Sequence, residues 1–318
     1  MEADPARASD PVEPAGSAFP GMTIVVPTRD RPGHLASCLE ALTGLEYPGH
    51  RMHVVIVDDG SVGSLRPVVD RFRGHVDVQL LEQEGAGPAA ARNAGVARAR
   101  HEYVAFTDDD CAPEPGWLLG LAAGFRRSPR AMLGGRTVNA LSTNLFSEAS
   151  QELVAYLYEY YNSPEQGARF LTSNNMAMPT DLFLELGGFH MSFPRAAAED
   201  RDLCDRWHGA GHPMWYVPDA VVRHSHALGW SRYCQQHFGY GRGAHGYHAR
   251  RADRGETSVR LEPLRFYAGL LAHPVRHRAG LRAPSLSALL ALAQIANVLG
   301  YLTEAAQAVR RSRMKGTA

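Results

Sequence analysis

From residue 22 to about residue 107 the chain alternates short apolar runs with stretches of helical spacing, and few folds accept that alternation. The apolar runs are MTIVVP, MHVVIVDD, VDVQLLE and EYVAFT. Between them lie PGHLASCLEAL, with Pro32 suited to the first helical turn, then residues 64–73 and the Ala-rich GPAAARNAGVARAR. Strands separated by crossover helices pair in parallel, so the pattern predicts an α/β fold with a mostly parallel central sheet. Each run ends in polar residues. In open α/β sheets ligands sit beyond the carboxyl ends of the strands, which predicts that residues 27–30, 58–61 and 108–110 converge on one ligand.

The third of these ends, in YVAFTDDDC, places three carboxylates in a row directly after a buried strand. Adjacent carboxylates repel, and a fold tolerates them there when water, hydrogen bonds or a cation offset the cost. A solvated acidic turn satisfies that condition. So does a hard divalent metal that takes one or two protein carboxylates and fills its other positions with water and phosphate oxygens. An EF-hand is excluded, because Pro113 falls where that loop requires glycine.

The 318 residues suffice for a full core and one or two domains. Cys38, Cys111, Cys204 and Cys234 form no CxxC pair, which argues against a disulfide framework or a zinc ribbon and fits a reducing compartment. Residues 1–21, rich in Ala, Pro, Asp and Glu, read as a disordered leader without a secretory signal. The formal net charge of zero is unevenly spread: residues 223–318 hold 15 Lys or Arg against 4 Asp or Glu. That basic third predicts either a solvated face or an anionic partner.

One motif points elsewhere. GAGPAA, residues 85–90, matches GxGxxA, follows a strand and opens a helix, as in NAD(P)-binding Rossmann oxidoreductases. That reading leaves VDDGS and the triple Asp without a purpose, and Gln83 and Glu84 interrupt the apolar run before the first glycine. A catalytically silent nucleotide-binding scaffold would carry the same acidic strand ends as uncompensated charge.

Six segments in order, across about residues 22–230, carry a resemblance: IVVPTRDRPGHLASCLEAL, VVIVDDGS, GPAAARNAG, FTDDDC, SNNMAMPTDLFLELGGF and AEDRDLCDR. Together they resemble the inverting glycosyltransferases of family 2, which have the nucleotide-sugar-binding GT-A fold. The resemblance implies a GT-A domain over residues 22–228 and a metal-dependent transfer of a sugar from a nucleotide-sugar donor to a hydroxyl acceptor, which is a glycan, a lipid carrier or a small molecule. It implies that Pro27, Thr28 and Arg29, in the loop 27–31, lie beside the nucleotide, and that Asp58 or Asp59 accepts a hydrogen bond from the base. Asp108 would contact the ribose, with Asp109 beside it. Asp110 would hold Mg²⁺ or Mn²⁺ against the donor diphosphate, with His224 as a further metal ligand and His226 as its substitute. Arg92 and Asn93 match the helix bordering the nucleotide, although Arg92 could instead pair with Asp58 or Asp59. Gly187 and Gly188 match the acceptor-side GGF turn, or serve as a helix C-cap. Inverting transfer needs a general base on the far side of the sugar from the leaving group. Asp200 is the candidate and Glu199 the fallback, while acidic residues also favour a helix N-terminus for its dipole alone.

Residues 229–318 are expected to form a basic, mainly helical extension. WSRYCQQHFGYGRGAHGYHARR reads as a helix broken by Gly239, Gly241 and Gly243, suited to phosphate or a sugar face. It carries no nucleic-acid recognition motif, and no nucleic-acid partner is expected. Residues 285–303 contain no charge and approach bilayer-spanning length, but Ser, Gln, Asn, Gly and Thr dilute them. A core-packed or amphipathic helix is predicted, either lying on an anionic membrane or packing on a second subunit. The expected location is the cytoplasm, either free in it or at the inner face of the cell membrane.

Overall fold

The computed structural model describes residues 19–193, 197–255, 262–277 and 282–315. Residues 1–18 of the expected leader lie outside the described residues. The first half follows the predicted alternation: β1 (Met22–Thr28), α1 (Pro32–Thr43), β2 (Met52–Asp59), α2 (Arg66–Asp70), β3 (Val78–Gln83), α3 (Pro88–Val96) and β4 (Tyr103–Thr107). Then come β5 (Cys111–Pro113), α4 (Trp117–Arg127), β6 (Met132–Asn139), α5 (Leu145–Tyr161), β7 (Asn175–Pro179), α6 (Thr180–Glu185), α7 (Glu199–Gly209) and β8 (Met214–His224). Three helices follow: α8 (Trp230–Asp253), α9 (Leu264–His277) and α10 (Arg282–Lys315).

The strands form one sheet of order β3-β2-β1-β4-β7-β6-β8-β5. β7 and β5 run against the rest; the other neighbours are parallel. Period-two alternation assigns the strand residues to two cores. Ile24, Val26, Val54 and Ile56 face α1 and α4, meeting Leu35, Leu39, Trp117 and Leu121, while Val25, Val55, Val57 and Phe106 face Phe183, Phe189, Leu203 and Trp207. Both faces are covered, which is why β1 and β2 read as continuous apolar runs rather than alternating ones. Buried Asn175 ties the irregular end of the sheet: it accepts from Trp117 Nε1 at 2.8 Å and donates to the Arg136 and Ala220 carbonyls beside the register shift between β6 and β8.

The helix expected to break at Gly239, Gly241 and Gly243 is instead continuous over Trp230–Asp253. Tertiary packing explains the correction. A Cβ at Gly241 would overlap the Asn297 carbonyl of α10, and a Cβ at Gly300 would overlap the Phe238 carbonyl of α8. The two glycines are therefore contact points between helix backbones, and packing offsets their poor helix propensity. Gly241→Ala is expected to cost about 1–3 kcal/mol through overpacking, read as a lower urea midpoint at unchanged m; an unchanged midpoint would show that the helices can separate freely.

α10 is the one helix among the described residues long and apolar enough to cross a membrane by length and composition. Its inner face packs into the fold: Leu286, Leu289 and Ala293 join Ala149, Leu228 and Tyr233, and Leu290 joins Leu153, Tyr156 and Phe266. Ile295, Val298, Leu299 and Leu302 remain exposed on its outer face.

Candidate active site

The acidic turn between β4 and β5 is placed by backbone pairing. Cys111 N–H donates to the Asp108 carbonyl, closing the turn, and Cys111 pairs across the antiparallel ladder with His224. Ser225 N–H donates to the Asp110 carbonyl at 2.8 Å. The register of β5 on β8 thus delivers two histidines to one carboxylate: His224 Nε2 is 3.3 Å from Asp110 Oδ1, and His226 Nδ1 is 3.4 Å from Oδ2. The rings stack with centroids 5.3 Å apart. Burial alone would raise the Asp110 pKa, but the hydrogen bonds to His224 and His226, with the nearby Arg31 charge, hold it well below the usual carboxylate range. Burial lowers the His224 pKa less than Asp110 raises it, so the imidazole is left above its ordinary value.

The other two carboxylates of the turn diverge. Asp109 points inward, accepting from Thr28 Oγ1 at 2.8 Å and from Arg31 Nη1 at 3.1 Å. Burial pushes it up to about 6, against the pull of both partners. Arg31 also lies 3.0 Å from Asp110 Oδ2, so one guanidinium spans both carboxylates. Asp108 is half-exposed and accepts from Arg92 Nη2 at 2.7 Å.

Arg92 is buried, and its other arm reaches Glu199 Oε1 at 3.2 Å; it pairs with neither Asp58 nor Asp59. It therefore couples the end of β4 to the start of α7, with its guanidinium 5.6 Å from the Phe189 ring centroid. Its charge is shared between two carboxylates. The adjacent Glu199 and Asp200 separate in direction: Glu199 is buried against Arg92, whereas Asp200 is half-buried and accepts from Arg201 N–H at 2.7 Å. Burial raises both pKa values, and for Glu199 the Asp200 charge adds to it.

At the end of β2, Asp58 Oδ1 accepts from Ser61 N–H. Asp59 instead accepts from Gln83 Nε2 and from the backbone N–H groups of Ala86 and Gly87. Those are N–H groups of GAGPAA that a dinucleotide-binding loop would turn toward pyrophosphate, and here they are committed to a carboxylate. At the end of β1, Pro27 is half-buried, Thr28 is buried, and Arg29 is exposed and 3.6 Å from Asp30.

Asn93 has both amide atoms on the Phe189 backbone, donating to its carbonyl at 2.8 Å and accepting from its N–H at 2.9 Å. It splints the turn that follows α6. Gly187 and Gly188 have φ of +76° and +66°, and Gly188 N–H donates to the Phe183 carbonyl, so the pair ends α6 as a left-handed cap. Gly187 is exposed. Gly188 is buried and enclosed by Asn93 and Phe183.

Asp110, His224 and His226 bring one carboxylate and two imidazole ligand atoms within 4.8 Å of one another, a donor set that fits a divalent metal. His226 Nε2 is fixed by Gln236 Oε1 at 2.9 Å, and Gln236 Nε2 in turn donates to Ser150 and Tyr240. Helix α8 thus reaches the site from what the sequence marks as the extension. Arg31 and Gln236 escape sequence reasoning as partners. Arg31 lies three residues beyond Thr28 in the first loop, but Gln236 gives no local signal.

The family model described as "Glycosyl transferase family 2" matches residues 23–187. The pre-mycofactocin glycosyltransferase of Mycobacterium tuberculosis is 30% identical over 234 residues, covering 70% of this chain and 46% of its own length. The glycosyltransferase AglE of Haloferax volcanii is 32% identical over 104 residues, 32% of this chain and 34% of its own. The chain thus spans about half or less of the length of these curated relatives. Among solved structures, the mannosyltransferase PcManGT from Pyrobaculum calidifontis, in complex with GDP-Man and Mn²⁺, superposes with a TM-score of 0.61 at 19% identity, over 91% of each chain. Residues 1–349 of Staphylococcus aureus TarS, in complex with UDP-GlcNAc, give 0.54 at 16% identity over 92% of each chain. These likenesses establish the GT-A fold. With the family model spanning half of the sequence and taking in the acidic turn, the chain belongs to glycosyl transferase family 2.

Proposed function

We propose that the protein is a metal-dependent, inverting glycosyltransferase that moves a sugar from a nucleoside-diphosphate sugar to a hydroxyl acceptor. The observation that carries this reading is the continuity of one polar site: Asp110 with His224 and His226 at one end, Asp200 at the other, and the Asp108–Arg92–Glu199 bridge between them. Asp110 and His224, with His226, would hold Mg²⁺ or Mn²⁺; the imidazoles favour Mn²⁺. Bound there, the metal supplies Lewis-acid stabilisation of the diphosphate leaving group.

The chain's own residues do the rest. Asp58, whose Oδ2 has no partner among the described residues, is better placed than Asp59 to accept from a base. Pro27, Thr28 and Arg29 border the nucleotide, and Asp108 takes the ribose. Asp109 acts by holding Thr28 and Arg31. Asp200 accepts the proton of the acceptor hydroxyl as it attacks the anomeric carbon, and the bond to the diphosphate oxygen breaks on the opposite face. Glu199 is tied to Arg92 and serves to set that guanidinium, so Asp200 is the base. Exposed Gly187 borders the acceptor side. The basic flanks of α10 and its exposed Ile295, Val298, Leu299 and Leu302 support a position on an anionic membrane surface.

The test is a thermal-shift titration with UDP, GDP, dTDP, CDP and NAD, each with and without Mn²⁺. One nucleoside diphosphate is expected to raise Tm only when metal is present, and thereby to name the donor class. Stabilisation by NAD without metal would return the site to dinucleotide chemistry.

A further inference from the structure

A second cluster of metal-ligating groups lies outside the active site, where α9 crosses α5. His273 and His277 are four residues apart on α9, so their rings share one helix face, with centroids 4.3 Å apart. Both present Nε2 to the same oxygen of Glu159 on α5: His273 Nε2 is 3.1 Å and His277 Nε2 3.4 Å from Oε2. The far side of the first ring is also held, because His273 Nδ1 is 2.8 Å from Oε1 of buried Glu152, about two turns earlier on α5.

That last contact fixes the chemistry. A carboxylate can only accept, so His273 carries its proton on Nδ1 and a neutral ring turns its Nε2 lone pair toward Glu159 Oε2. Two lone pairs 3.1 Å apart repel, and either a proton on Nε2 or a cation beside it relieves the contact. A second proton on His273 and an Nε2–H on His277 would also satisfy Glu159 Oε2, and the competing arrangement is a cation shared by the three groups. A metal uses all three groups. Ligand atoms of a tetrahedral zinc, with bonds of about 2.0–2.1 Å, lie roughly 3.3–3.4 Å apart, close to the separations found here. The Glu152–His273 pair then has the arrangement of an outer-shell carboxylate orienting a metal-bound imidazole.

We infer that Glu159, His273 and His277 form a zinc-class metal site that fastens α9 to α5, with water in the fourth position. The site is distinct from the Asp110, His224 and His226 set and independent of the reaction assigned to it.

The experiment titrates metal-stripped, full-length protein with Zn²⁺ by calorimetry, in an Asp110→Asn/His224→Ala background that disables the active-site set. One equivalent is expected to remain, and Co²⁺ in its place should give the visible bands of a tetrahedral ion. His277→Ala and Glu159→Ala, both at largely exposed side chains and so compatible with folding, are each expected to weaken Zn²⁺ binding at least tenfold and to abolish the metal-induced rise in Tm. Absence of zinc binding in the background protein would overturn the proposal. So would binding that neither substitution weakens.

Discussion

Asp110→Asn is expected to lower metal-dependent kcat/KM by about 10³-fold or more, roughly 4 kcal/mol of transition-state stabilisation. Asp110 is the one carboxylate on which His224, His226 and Arg31 converge, and asparagine keeps its shape while removing the charge. The folded state should survive, because the ladder contacts at Cys111 and Ser225 are made by backbone groups. The check is steady-state turnover against Mn²⁺ concentration beside a urea denaturation curve. Turnover within a few-fold of wild type at saturating metal would remove Asp110 from the metal site.

The second large effect is expected at Asp200→Asn: a fall in kcat of about 10²–10⁴-fold, the usual contribution of a positioned general base. Nucleoside-diphosphate binding should persist, since Arg92 pairs directly with Asp108 and, on its other arm, with Glu199 rather than Asp200. The pH profile adds a signed expectation. Burial raises the Asp200 pKa, so the base is protonated at acidic pH and kcat should rise with pH through a range above that of an ordinary Asp. Asp200→Asn should abolish that rising limb. A variant that loses diphosphate binding together with turnover would show that Asp200 supports the donor site instead.

How much of this was legible in the sequence depends on how locally each feature is encoded. The strands and helices through residue 107 follow from apolar period and turn residues, because each element carries its own signal. The placing of Asp58 and Asp108 at strand ends on one edge of the sheet was readable from the same source, since strand ends of one parallel sheet lie side by side. Arg92 shows where this fails. Sequence offers Asp58 and Asp59 as its partners only as an alternative to the nucleotide, whereas one of its actual partners lies 107 residues away on α7. The register of β5 on β8, which alone selects His224 and His226, is likewise set by long-range pairing. The glycines of α8 looked like helix breakers because propensity is local while the α10 backbone that requires them is not. The pair at His273 and His277 was present as H-x-x-x-H, yet only the packing of α9 on α5 supplies the third group.

The reciprocal seating of Gly241 and Gly300 has a mechanical consequence. With each helix backbone pressed into a notch in the other, and Tyr233 hydroxyl anchored on the Leu289 carbonyl, α8 can neither slide along α10 nor roll over it. Gln236 and Tyr240 ride on α8, so the orientation of His226 is gauged by that helix. Any movement of α8 would therefore carry α10 with it, and Gln236 with both.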